Sequence, residues 1–187
     1  MSRWEPGARD RLAEAALALY GERGFENTTV AEIAARAGVT ERTFFRYFVD
    51  KREVLFFGAS DLQDLLVHEV AESSRPTAPL AAVSAALEVA GAFLQERREG
   101  ARQRHRVITA NAELKERELI KLATLAAALA DALRERGVGD PDATLIAEAG
   151  ITIFKVAFER WIDDTNQRDL PQLIRDSLDA LKAHTAG

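Results

Sequence analysis

The chain has 187 residues, 47% of them hydrophobic and 29% charged, with a formal net charge of -5, a composition that belongs to a folded protein and excludes a disordered tail. Cysteine is absent and the three histidines, His68, His105 and His184, are scattered, which excludes disulfides, a thiolate nucleophile and a dedicated metal cluster, so no cofactor is expected. No apolar run approaches the roughly 18 residues of a membrane span, and the N-terminus is charged where a signal peptide is apolar, so the expected location is cytoplasmic with no membrane partner.

In chain order, helix punctuation dominates and no long stretch alternates as strands do, which predicts an all-α fold. A first helix is predicted over 8–22 from Leu12, Ala15, Ala16, Leu19 and Tyr20 at helical spacing, with Gly24 as a left-handed break and Phe25 as an apolar plug. Thr29 and Glu32 match a capping box, starting a second helix near Val30 that buries Val30, Ile33 and Ala34 and stops at Gly38. Only Gly38 and Val39 separate it from Thr40, which caps a third helix running through Phe48. Two short helices joined so tightly cross steeply and leave the first turn of the second exposed, the geometry of a helix-turn-helix. Asp50 is expected to cap a fourth helix from Lys51 to about Ser73, and Pro76 and Pro79 mark a corner. Further helices are predicted over 80–99, 101–111, 113–136, 142–163 and 169–183, with a turn at Gly137, Gly139, Asp140 and Pro141. The division implied is a head over residues 1–50 and a larger helical body over 51–187.

A net negative charge argues at first against nucleic acid, which normally selects a basic surface. Residues 1–56, however, hold nine basic and nine acidic side chains, leaving 16 basic, 21 acidic and the whole of the -5 to the rest. A neutral head can still present its cations on one face. In the third helix Phe44 and Phe48 share an inward face, while Arg42 and Arg46 share another. Arg42 can donate a bidentate pair to guanine O6 and N7, and Glu41 can accept from cytosine N4. Thr40, Thr43 and Tyr47 offer hydroxyls to phosphates or base edges. Lys51, Thr28 and Thr29 are candidate phosphate contacts, the two threonines also through their backbone amides. Thr29 and Thr40 are equally accounted for as helix caps, and both arginines as solvated side chains.

The run Arg9 to Leu55, with Ala15-Ala16, Gly24-Phe25, Thr28-Thr29-Val30, Ile33-Ala34, Ala37-Gly38-Val39, Thr43, Phe48, Lys51 and Leu55, resembles the head of the TetR family of repressors. The resemblance implies a three-helix DNA-binding head, a helical ligand-binding body, a homodimer built mainly from the last two helices, and phosphate contacts from Tyr47 and Lys51. Phe45 departs from the family's usual tyrosine. Without the hydroxyl it is left as a packing or sugar contact.

The body resembles the family only weakly. The segment 142–161 is apolar over much of its surface, which suits either a central helix or a dimer face. Dimerisation candidates are Leu145, Ile153, Phe158 and Trp161, with Leu170, Ile174, Leu178 and Leu181 in the last helix. Phe93, Ile108, Leu122, Phe154 and Phe158 could line an apolar effector cavity or simple core, with Arg104 or Asn111 fixing a polar end. The polar run Arg102 to Ile108 reads as the wet face of a short helix, and no catalytic constellation surrounds it, so no enzyme is expected. The reading that follows is a dimeric repressor of a palindromic operator, relieved by a small hydrophobic ligand. An activator with the same head, a nonspecific DNA-organising protein and an all-helical enzyme remain as alternatives.

Overall fold

The structure, a computed structural model, describes residues 7–74 and 77–185; Pro76, expected at a corner, lies outside the described residues. Among the described residues the fold is all-α: α1 (Ala8–Arg23), α2 (Val30–Arg36), α3 (Glu41–Tyr47), a 3-10 turn (Glu53–Phe56), α4 (Ala59–Glu72), α5 (Pro79–Gln95), α6 (Arg98–Thr109), α7 (Ala112–Glu135), α8 (Asp142–Ile162) and α9 (Leu170–Thr185).

The chain forms two compact units, one of the residues up to Gly58 together with Gln103–Glu118, the other of Ala59–Arg102 and Leu119 onward. This is not the division at residue 50 expected from the sequence. The predicted fourth helix is interrupted: Asp50 accepts from the Arg52 and Glu53 amides at 2.8 and 3.1 Å, but the chain that follows is a 3-10 turn whose N-cap position is Arg52, not the start of a long helix. Gly58, at φ 84°, then breaks the helical path before α4, a backbone conformation open to glycine and strained for other residues.

In the first unit α1 contributes Leu12, Ala16, Leu19 and Tyr20, α2 Ile33, and α3 Phe44, with Phe25 and Phe48 closing the same core. α1 ends at Gly24, whose φ 81° and ψ 158° place it outside the compact left-handed helical basin expected, in a region that only glycine enters freely. The α2–α3 turn is a Schellman motif: the Gly38 amide bonds Ala35 O at 3.1 Å and the Val39 amide bonds Ala34 O at 2.9 Å, with Gly38 at φ 69°. The first unit also buries Val107 and Ile108 of α6 and Leu114 of α7. Polar pins fasten that corner. Gln103 Nε2 donates to Leu17 O at 3.0 Å, Arg104 Nε to Leu55 O at 2.5 Å, Arg117 Nε to Glu53 at 2.7 Å, and Arg52 pairs with Glu113. The expected wet face at 102–108 is therefore corrected in part: Arg102, Gln103, Arg104 and His105 are half-buried and only Arg106 among the polar residues there is exposed, and Arg102, Gln103 and Arg104 donate to main-chain carbonyls.

In the second unit α5 packs against α4, α8 and α9. Gly150 brings α8 so close to α5 that a Cβ there would meet Val83 Cγ1 at 2.5 Å, and Gly91 lets Ile174 and Leu170 of α9 lie against α5. Arginines hold helix ends: Arg136 donates to Val70 O and Ser73 O at the end of α4, and Arg98 and Arg102 donate to Asp163 O and Ile162 O at the end of α8, where unpaired carbonyls accumulate negative charge. The break expected at Gly100 falls at Glu96–Arg97 instead, and Gly100 sits inside α6.

Candidate nucleic-acid interface

α3 is fixed from behind. Phe44 is fully buried and Phe48 nearly so, their rings 5.5 Å apart, and Thr40 Oγ1 accepts from the Thr43 amide at 3.2 Å to cap the first turn. With that face anchored, Glu41, Arg42, Phe45, Arg46 and Tyr47 are all exposed. Arg42 has no side-chain hydrogen bond or ion pair among the described residues, so its five donors face solvent. Arg46 lies over the Tyr47 ring at 4.9 Å and donates to its hydroxyl at 3.0 Å. Thr43 is half-exposed, its hydroxyl 3.1 Å from that of Thr40. Phe45 is 55% exposed, which leaves it little packing role; among the described residues its ring contact is edgewise with Phe44 at 5.4 Å.

Three other candidates are differently occupied. Thr28 is buried, and its hydroxyl donates to Gly24 O at 2.9 Å while its amide bonds Phe25 O. Thr29 completes the capping box: its amide and hydroxyl donate to Glu32 Oε2, each at 2.9 Å, and its hydroxyl accepts from the Glu32 amide. The anion at the start of α2 is thus the protein's own carboxylate. Hydrogen bonds from the Thr29 amide, then its hydroxyl, with Arg23 adding its charge, hold Glu32 below the usual carboxylate value. Lys51 Nζ donates to Phe25 O at 2.8 Å and Thr28 O at 2.9 Å and lies over the Phe25 ring at 4.4 Å. It ties down the α1–α2 loop from within. Sequence reasoning also missed Arg11, whose Nε donates to Ala37 O at 3.2 Å and braces the turn; a cation four positions into a helix carries no local sign of such a target. Tyr20 donates to Lys51 O at 2.6 Å, and burial, with Asp50 adding to it, pushes its phenol well above the ordinary range.

The seven expected ligand residues do not gather in one unit. Ile108 is part of the first unit's core, Arg104 is paired with Glu118 at 2.9 Å, and Asn111 donates to Glu26 at 2.8 Å while its Oδ1 accepts from the first amides of α7. Phe93 in the second unit is 59% exposed, with Arg97 over its ring. Leu122, Phe154 and Phe158 do pack, half-buried, against the second unit's core. Of the expected dimer residues, Ile153, Trp161, Leu170, Ile174 and Leu178 are buried within the second unit and so have no surface to offer a partner. Leu145 and Leu181 are exposed.

An anchored second helix of a helix-turn-helix, presenting an unpaired arginine beside polar and aromatic side chains, defines a DNA-binding transcriptional regulator of the helix-turn-helix class. Residues 12–56 match the bacterial regulatory proteins of the tetR family and residues 77–186 match the MftR C-terminal domain, so the chain belongs to the tetR family. It is 37% identical over 78 residues to the HTH-type transcriptional regulator TcmR of Streptomyces glaucescens, an alignment covering 42% of this chain and 34% of TcmR. The match thus spans about a third of the length of that relative. FadR of Thermus thermophilus, a transcriptional repressor solved with lauroyl-CoA, is 25% identical at a TM-score of 0.57, covering 92% of each chain. SmeT, the repressor of a Stenotrophomonas maltophilia multidrug efflux pump, solved with triclosan, has the same fold at a TM-score of 0.69 and 21% identity, covering 95% of this chain and 90% of SmeT.

Proposed function

We propose that the protein is a homodimeric repressor that places α3 of each subunit in successive major grooves of a palindromic operator and is released by a small hydrophobic ligand. The observation that carries the reading is Arg42: an exposed, unpaired guanidinium on the outward face of a helix locked by Phe44 and Phe48. It acts in the cytoplasm, on DNA. Arg42 reads guanine, with Thr43, Arg46 and Tyr47 completing the surface and Thr40 and Glu41 at its leading edge. Full-length protein should select related half-sites from a randomised duplex library, spaced by one turn of about 34–36 Å or a multiple. Arg42→Ala should cost about 1–3 kcal/mol and relax preference at one base position. Equal affinity for scrambled half-sites would remove the sequence-specific reading.

For the dimer, the buried candidates yield to an outward stripe on α8, where Leu145, Thr152 and Val156 are exposed and Ala149 is half-exposed at one-face spacing, joined by Leu181 of α9. A stable homodimer interface covers about 2,000 Å² or more. Leu145→Glu with Val156→Glu should shift the sedimenting species to monomer while helicity is retained; a dimer that persists in the folded double variant would refute this face. For the effector, Phe154, Phe158 and Leu122 supply an apolar wall, and Trp161, its ring 5.7 Å from Phe158, has a buried Nε1 with no acceptor among the described residues. A ligand with a hydrogen-bond acceptor satisfies that donor. FadR with lauroyl-CoA and SmeT with triclosan are the similar proteins that support ligand control. Titration of the protein–operator complex with acyl and aromatic compounds is the test: saturable binding that leaves operator affinity unchanged would remove the regulatory part alone.

A further inference from the structure

Building on the proposed role of α3, we infer that Phe45 reads the C5-methyl group of a thymine in the base pair adjacent to the guanine contacted by Arg42. Phe45 is a large apolar side chain left 55% exposed on a surface otherwise made of Thr40, Glu41, Arg42, Thr43, Arg46 and Tyr47. Its ring meets the core only edgewise, against Phe44 at 5.4 Å, and is not among the side chains of the buried cluster that Phe44 and Phe48 close. Exposed aromatic area of this kind gains stability when apolar groups or a cation cover it. In the major groove the base edges present donors and acceptors throughout, and the one apolar group among them is the thymine methyl. Tyr47, the nearest exposed aromatic, is already covered on one face by Arg46, which leaves the Phe45 ring as the apolar element of the reading surface.

The register follows from helix geometry. Residues three apart share a face and are separated along the axis by about 4.5 Å, close to the roughly 3.4 Å between successive bases on a strand. Arg42 and Phe45 therefore address neighbouring base pairs, one by a charged bidentate pair and the other by an apolar contact. A tyrosine here would add to the same ring a hydroxyl able to reach a phosphate; the phenylalanine keeps only the ring, the part that can meet a base edge.

The test uses full-length protein and the duplex most enriched from a randomised library. Each thymine of the recovered half-site is replaced in turn by deoxyuridine, which deletes only the methyl group, and dissociation constants are measured by fluorescence anisotropy. The expected result is a loss of about fourfold at one thymine next to a guanine, and roughly fifteenfold when both half-sites carry the replacement. Phe45→Ala should abolish the difference between thymine and deoxyuridine at that position, while Phe45→Tyr, which keeps the ring, should retain it. Wild-type protein indifferent to every replacement, or a Phe45→Ala variant that still discriminates, would overturn the inference while leaving DNA binding by α3 intact. Failure to enrich any duplex would instead overturn the DNA reading, and this inference with it.

Discussion

Lys51 and Arg42 are both cations of the first unit, and their surroundings separate them. Arg42 has no protein partner among the described residues, whereas Lys51 Nζ is held by Phe25 O and Thr28 O. A hydrogen bond to a charged group contributes about 1.5–3 kcal/mol, so Lys51→Ala should destabilise the first unit by about 2 kcal/mol in urea unfolding and weaken DNA binding only through that loss. Unchanged stability with a reduced salt slope would return Lys51 to the phosphate contacts. Local sequence distinguishes these two cations poorly. A lysine after a helix looks the same whether it reaches a phosphate or a carbonyl, and the carbonyls of Phe25 and Thr28 lie more than twenty positions away in the chain.

At the level of elements, the capping box and the helical glycines give opposed, measurable signs. Because Glu32 is held below its usual value of 4.5 by Thr29 and Arg23, its contribution is present above pH 4.5 and is lost as pH falls through the lower folded value. Glu32→Gln should therefore flatten part of the acid destabilisation seen in wild type. Parallel pH–urea profiles of the two proteins would show that the box does not function this way. Gly150→Ala should destabilise, since its Cβ meets Val83 Cγ1 at 2.5 Å and overpacking costs about 1–3 kcal/mol. Gly100→Ala, in α6 with nothing within 4 Å of the new Cβ, should stabilise by about 0.5–1 kcal/mol, and urea midpoints check both. Elements were legible where their signals are local. Thr29 with Glu32, Thr40, Gly38 and the spacing from Leu12 to Tyr20 locate α1, α2 and α3 within a residue or two. The boundary expected between 80–99 and 101–111 lies a few residues earlier because a helix tolerates a glycine such as Gly100 where nothing crowds it, and the split at Gly58 is hidden because hydrophobic spacing continues on both sides of the turn. Of the interface, the outward set on α3 followed from the inward spacing of Phe44 and Phe48. The partners of Thr28, Lys51 and Asn111 depend on contacts that no window of sequence contains.

Across the whole molecule, the first unit is discontinuous: Val107, Ile108 and Leu114, far beyond Gly58 in the chain, complete its core. Each large buried apolar side chain removed from a core costs about 2–5 kcal/mol, comparable to a sizeable part of the stability of a small domain. A fragment ending at Gly58 should therefore lack a cooperative thermal transition, which circular dichroism would reveal; a sharp transition in that fragment would show the α6–α7 corner to be accessory. The same discontinuity bears on inheritance. A DNA-reading module encoded in one contiguous stretch can be exchanged between genes by a single crossover, but here that crossover would leave the donor's helix-turn-helix facing a foreign corner at 103–118. Productive shuffling of binding specificity onto a new sensing body requires two exchanges, or compensating change at Gln103, Arg104, Val107, Ile108 and Leu114, and chimeras that transplant the corner together with the first 58 residues should fold where simple fusions at Gly58 do not.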